Sequence, residues 1–332
     1  MIKNSSSIIS VQRVVVFVSI ILFITKIYAW YLTHSVAILT DALESTVNVV
    51  AGFIGLYSLT LSAKPRDRQH PYGHGKIEFI TSAFEGMLIA IAGFYIIYEA
   101  IDNYLHPHTI KKLDVGIVLV AFSGLVNYVV GYYVEKKGKS QNSPVLIAGG
   151  QHLKTDTYST IGILIGVVLI YITGYQWIDN ATAIIFAFVI IFTGYSVMRK
   201  SVSGIMDEAD SVIIEEVIEL LKSNRNPNWV DVHNMRIIDY VGYHHIDCHL
   251  TVPFYLNMHE GHKILDELTK LLNKHFENRV EFFIHLDGCL PFQCSICKVE
   301  NCPERSQPFQ SEVEWTFDNI VLDAKHGSSE AK

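Results

Sequence analysis

Long apolar runs separated by short polar connections fill the chain from about residue 11 to residue 198, and the pattern stops near residue 207. A helix that crosses a hydrocarbon core about 30 Å thick needs about 20 predominantly apolar residues. Six stretches meet that length: residues 11–31, 36–61, 79–104, 115–134, 145–173 and 177–198. The first ten residues are too polar and too weakly basic for a cleavable signal, so the first run is expected to be a retained helix. Beyond Asp207 the period changes. Ile213, Val217, Leu220 and Leu221 mark a helical stripe, residues 230–239 and 243–253 read as strands, 262–276 as a second helix and 279–285 as a third strand. The order αββαβ predicts a small open α+β sheet with helices on one face, and the tail after Cys302 reads as polar and irregular. The expected organisation is a six-helix membrane domain over 11–200, a second domain over 207–288, and a cysteine-rich segment with a polar tail over 289–332.

Charge supplies a direction. Lys64, Arg66, Arg68 and Lys76 follow the second span, Lys136, Lys137 and Lys139 the fourth, and Arg199 and Lys200 the sixth; the opposite connections hold only Lys111 and Lys112. By the positive-inside rule both termini are expected in the cytoplasm, in a plasma or inner membrane. Half of the 332 residues are hydrophobic and only 18% are charged, below the ordinary share for a soluble enzyme. A net charge of −7 and the lack of a basic stripe argue against nucleic-acid binding.

The chemistry lies in ionisable groups inside the spans. Asp41, Glu44 and Asn48 of the second span fall within roughly 60° of one another on a helical wheel, and His152 and Asp156 of the fifth share a face at i,i+4. One acidic residue near mid-bilayer costs about 2.5–3.5 kcal/mol on insertion scales. With the termini inside, Glu44 sits about 13 Å below the outer end of its helix and His152 about 11 Å above the inner end of its own. Matched depth near the midplane, where transport sites are commonly built, points to one divalent metal cation held between two helices. The competing reading, hydrogen bonds that merely hold helices together, suits isolated groups such as Asn127 or Glu85. Lys154 points some 200° away from His152 and is expected to face away from the site, in an ion pair or snorkelling.

Three stretches together resemble the cation diffusion facilitator family of proton-coupled metal exporters: Thr40-Asp41-Ala42-Leu43-Glu44-Ser45, His70-Pro71-Tyr72-Gly73-His74-Gly75-Lys76, and His152-Leu153-Lys154-Thr155-Asp156. The likeness runs from Val11 to about Cys289. It implies a homodimer in the lipid bilayer that exports a divalent metal, with zinc favoured and Fe²⁺, Mn²⁺ or Co²⁺ as alternatives, against protons as counter-ion. It implies transport ligands at Glu44, Asn48, His152 and Asp156, with Asp41 in reserve, and a second site at Asp67, His70 and His74. It further implies a ferredoxin-like cytoplasmic domain with ligands at His233, His249, His262, His285 and Asp287, and a Lys76–Asp207 salt bridge that locks the dimer. On alternating strand positions His245, Asp247 and His249 share a face, so other ligand combinations stay open. The zinc pattern of the family has His or Asp where Glu44 stands and Asp where Asn48 stands. A neutral amide is a weak zinc ligand and shifts preference toward harder, higher-coordinate ions.

Cys289, Cys294, Cys297 and Cys302 place four thiols within fourteen residues. In a reducing cytoplasm disulfides are disfavoured, and four thiolates suit a tetrahedral Zn²⁺. An iron–sulfur run ending in Cys302-Pro303 is a looser match, and incidental thiols on a tail are the plain alternative. Enzyme motifs of the HExxH, GxSxG and GxxxxGK[ST] types are missing, which argues against a membrane metalloenzyme. A metal sensor without transport accounts for the soluble ligands but not for charges at mid-membrane.

Overall fold

The computed structural model describes residues 2–33, 36–105, 113–173, 177–241, 243–277 and 279–327. The chain forms two compact units, Met1–Met206 and Asp207–Lys332.

Six long helices make up the first unit: α1 (Ile2–Thr33), α2 (Val36–Ser62), α3 (Ile77–Leu105), α4 (Leu113–Gln141), α5 (Pro144–Thr173) and α6 (Trp177–Ile205). Among the described residues, stretches of α1, α3 and α6 (Ser7–Tyr28, Ile77–Asp102 and Ile184–Ile205) are long and apolar enough to cross a membrane. The unit is turned inside out relative to a water-soluble bundle. Gln12, Ser19, Asn48, Ser58, Glu85, Asn127, Glu135 and His152 are buried, whereas Phe17, Phe94, Phe122, Phe188 and Phe192 are exposed. Such an apolar exterior needs a lipid-like surrounding.

Helix contacts are most extensive between α3 and α6 and between α4 and α5. Small residues let these backbones meet. A Cβ on Gly194 of α6 would stand 2.6 Å from the Ala90 nitrogen and 2.7 Å from the Gly86 oxygen of α3; one on Gly150 of α5 would stand 2.5 Å from the Glu135 nitrogen of α4. Close approach raises dispersion contact where no hydrophobic drive separates helix from lipid. Glu78 at the start of α3 accepts hydrogen bonds from Ser62 of α2 (2.7 Å) and Ser143 just before α5 (2.5 Å). Lys154 of α5 faces α4, where its ammonium meets Glu135 at 2.5 Å; Lys139 meets the same carboxylate at 2.7 Å.

The second unit contains α7 (Ser211–Ser223), β1 (Asp231–Asp239), β2 (His244–Val252), α8 (Met258–His275), β3 (Val280–Gly288) and a short α9 (Phe317–Ile320). Asp210 caps α7 by accepting from the Val212 N–H, and Ile214, Val217, Ile218 and Leu221 form its buried stripe. Helix α8 begins four residues earlier than the apolar periodicity alone predicts, because Asn257 and Glu260 form a reciprocal capping box. The three strands lie in chain order, β1–β2 antiparallel and β2–β3 parallel. Strand β3 runs to Gly288 rather than stopping at His285, since its ladder with β2 continues through Leu250, Thr251 and Val252. Residues of α7, α8 and all three strands share one core, and the tail joins it: Trp315 and Ile320 are fully buried there, with the Arg225 guanidinium 3.8 Å from the Trp315 ring centroid. The polar tail expected from the sequence is thus anchored by two apolar side chains.

Filling the α3–α6 contact should separate these helices. Gly194→Val is expected to destabilise the first unit by about 1–3 kcal/mol, read as a lower melting temperature in detergent; an unchanged melting curve would argue against this packing.

Candidate metal centres

Helix α2 supplies Asn48 and α5 supplies His152 and Asp156, and all three side chains are buried. The Asn48 amide donates to Asp156 Oδ2. Asp156 Oδ1 lies 3.8 Å from His152 Nε2, one helical turn away. Asn48 Oδ1 is buried and has no hydrogen-bond partner among the described residues. A buried amide oxygen left in that state costs about 1–3 kcal/mol, and it is the atom an amide offers to a metal. The structure therefore brings one residue of α2 and two of α5 together. The backbone of α2 carries Asp41 and Glu44, the latter one turn before Asn48, but their side chains lie outside the described residues.

In the connection between α2 and α3, Asp67, His70 and His74 hold three ligand atoms within 4.8 Å of one another. Asp67 Oδ1 accepts from the N–H groups of Gln69 and His70, which shapes the turn and leaves the carboxylate between the rings. His70 Nδ1 is 3.2 Å from Oδ1, and His74 Nε2 is 3.4 Å from Oδ2. The backbone N–H of His70 leads the causes that hold the Asp67 carboxyl below its ordinary pKa. Gly73 takes φ +96° in the turn that returns His74, a conformation that disfavours side chains.

The sheet carries the third group as two rows. His233, His249 and His285 are register partners across β1, β2 and β3, and Asp231, Thr251 and Asp287 form the next row on the same face. His233, His249 and Asp287 hold ligand atoms within 4.8 Å of one another. His285 Nδ1 approaches Asp287 at 3.0 Å, and its ring lies 4.7 Å from that of His249. A bulge after His233, with Asn234 at φ 51°, shifts the register there and lets the Asn234 amide reach His249 Nε2 at 3.3 Å. His262 stands apart: it is exposed on α8 and faces Asp266 at 3.7 Å. His245 is buried beside Glu281, 3.2 Å away, and does not join the cluster.

Burial pushes the His233 imidazole below its ordinary pKa, against the pull of Asp231. Burial also raises the Asp287 carboxyl, but Lys325 and His249 outweigh it and hold that group below the usual range. Both residues are then in their ligating forms, neutral imidazole and carboxylate, at neutral pH. The sequence reading missed Asp231, Lys325 and His326. Lys325 Nζ lies 3.4 Å from Asp287, and His326 Nδ1 lies 2.6 Å from the fully buried Asp231. A lysine and a histidine at the far end of the chain, the latter 95 residues from Asp231, offered no periodic signal to find.

The four tail cysteines line one small cavity. Cys248 is separate, buried in the sheet core, where burial pushes its thiol up to about 12; it is neither ligand nor nucleophile at neutral pH.

The sign of the His233 shift makes a pH prediction. An unfolded histidine takes up its proton near pH 6.5, and a folded one with a lowered pKa does so at lower pH. The stability tied to neutral His233 is therefore present above 6.5 and lost as pH falls through 6.5 toward the folded value. In metal-free protein the melting temperature of the second unit is expected to fall more between pH 7.5 and 5 in the wild type than in His233→Asn. Equal slopes would contradict this.

Residues 13–206 match the model of the cation efflux transmembrane domain, and residues 209–289 match the model of the cytoplasmic domain of cation efflux proteins. An uncharacterized transporter of Synechocystis is 31% identical over 243 residues, 73% of this chain and 78% of that protein. A manganese efflux system protein of Bacillus subtilis is 28% identical over 83% of this chain and 95% of its own length. A cadmium, cobalt and zinc/H⁺–K⁺ antiporter of the same species is 25% identical over 72% of this chain and 76% of its own. With both its helical unit and its sheet unit matched, this chain belongs to the cation diffusion facilitator family, whose members are cation transporters and not enzymes.

Proposed function

We propose that this protein exports a divalent transition-metal cation from the cytoplasm in exchange for protons, by alternating access around Glu44, Asn48, His152 and Asp156. The observation that carries this reading is the meeting of Asn48, His152 and Asp156 in the helical unit, with the Asn48 carbonyl oxygen buried and unsatisfied. Oxygen and imidazole donors grouped in an apolar bundle are expensive unless a cation offsets them. All six long helices span the membrane in this reading, with both termini in the cytoplasm, and two copies associate through the second unit with Lys76 and Asp207 at their junction.

In the cytoplasm-facing state His152 is neutral and the carboxylates are ionised, so the ion binds. In the outward state protons compete for the same lone pairs and release it. The sites on Asp67, His70 and His74 and on His233, His249 and Asp287 are accessory, with His285 as a further ligand.

Zinc is the leading cargo on the His152–Asp156 pair, since zinc accepts imidazole and carboxylate in tetrahedral sites. Mn²⁺ is the second reading. It is favoured by the neutral Asn48 amide and by likeness to a protein named for manganese efflux, because hard oxygen donors suit that ion.

Flux of Zn²⁺, Mn²⁺ and Fe²⁺ into vesicles holding the purified protein tests the proposal. Asp156→Ala is expected to lower transport by more than the roughly 10–100-fold seen for loss of outer-shell partners, with the fold intact by circular dichroism. Flux is expected to rise when the proton gradient opposes metal movement. Full transport in Asp156→Ala would overturn the assigned site, no metal flux from the wild type with metal binding retained would mark the protein as a sensor, and indifference to the gradient would end the antiport claim.

A further inference from the structure

The region matched by the cytoplasmic-domain model ends at residue 289, and the segment beyond it folds without an obvious reason to do so. Between Cys289 and Ser311, upstream of the Trp315 anchor, the only regular element among the described residues is a five-residue 3-10 helix, Pro291–Ser295. Its apolar packing is slight: Val230, Ile296 and Cys297 form the buried cluster, with Cys289, Val299 and Val313 against it. Segments with so small a core ordinarily need a cross-link or a metal to hold one conformation.

The thiols occupy the place where such a link belongs. Cys289, Cys294, Cys297 and Cys302 line one cavity of about 30 Å³, together with Pro253 and Phe254 beyond the end of β2 and with Leu290, Pro291 and Arg305. All four are free thiols. The spacing x4, x2, x4 brings each sulfur in from a different point of the loop. Backbone and hydroxyl donors aim at the sulfurs: the Ser306 N–H and Oγ–H each reach Cys294 Sγ at 3.5 Å, and the Phe254 N–H points to Cys289. Donors of this kind stabilise thiolates around a metal. The Arg305 guanidinium clasps the loop from outside, donating to the carbonyls of Cys294 (3.0 Å), Cys297 (2.9 Å) and Val299 (2.6 Å). Four thiolates and a divalent ion leave a charge of minus two, which this cation partly offsets.

We propose that Cys289, Cys294, Cys297 and Cys302 bind a resident structural Zn²⁺, separate from the transported ion, that staples the segment after β3 to the adjoining ends of β2 and β3. A closed tetrathiolate shell has no open position and suits a structural role. Binding releases the thiol protons to solvent as each sulfur becomes a ligand. No three of the sulfurs lie within 4.8 Å of one another among the described residues, whereas the edge of a zinc–thiolate tetrahedron is about 3.8 Å; loading therefore draws the loop inward. The staple also seats Gln293, fully buried next to Cys294, whose amide donates to Asp231 at 3.3 Å on the histidine-bearing face.

The test uses full-length protein purified in detergent after expression with zinc. Treatment with EDTA is expected to strip the oxygen- and imidazole-rich sites and to leave one zinc per chain, released only when an organomercurial modifies the thiols. Substitution with Co²⁺ is expected to give a sulfur-to-cobalt charge-transfer band in the near ultraviolet. Cys294→Ser/Cys297→Ser should lose the EDTA-resistant zinc and the band, while Asp156→Ala, deficient in transport, should keep both. The two proposals thus fail separately, and the wild-type metal and spectral readings stand even where a variant does not fold. Zinc fully removable from wild type by EDTA, a cobalt spectrum without the band, or acid-labile sulfide in anaerobically purified protein would each overturn the assignment.

Discussion

Between α2 and α5 a carboxylate, an amide and an imidazole lie buried in a bundle whose outer surface is phenylalanine and other large apolar side chains. The cost of keeping them there constrains the rest of the helical unit. Asp156 accepts from the Asn48 amide, and the Asn48 carbonyl oxygen is left without a hydrogen-bond partner among the described residues. The arrangement is satisfied on one side and open on the other, as a site for a cation that comes and goes requires. Glu135 is settled by its pairs with Lys139 and Lys154, whereas Gln12 Oε1 and Glu85 Oε2 are, like Asn48 Oδ1, buried without a hydrogen-bond partner among the described residues.

The sheet unit meets the same electrostatic problem by different means. Strand register sets three histidines in one row and two aspartates with a threonine in the next, so that ligand atoms converge without any helix pairing. The tail then brings Lys325 and His326 against the two aspartates. Asp287, whose carboxylate joins His233 and His249 in one group, is thereby already in contact with an internal ammonium.

Composition and spacing carried much of this. Six apolar runs became six long helices, and the change of period after residue 207 became α7, two strands, α8 and a third strand. These features depend on local periodicity and on the cost of placing polar groups beside lipid, both readable from neighbours in the chain. The i,i+4 spacing of His152 and Asp156 needs only helix geometry, and the short spacing of Asp67, His70 and His74 places that cluster within a single connection.

What the chain order alone left undetermined was every partnership across distance. The Asn48–Asp156 bond, the Lys154–Glu135 pair, the histidine row and the approach of Lys325 and His326 join residues that are remote in sequence. The early start of α8 came from a side-chain cap rather than from apolar period, and the tail was anchored by Trp315 and Ile320, two apolar residues too few to register as a pattern. Local sequence thus determined which elements form and which groups are too costly to bury alone. Tertiary packing decided which of those groups meet, because only the assembled helices and the paired strands fix their separation.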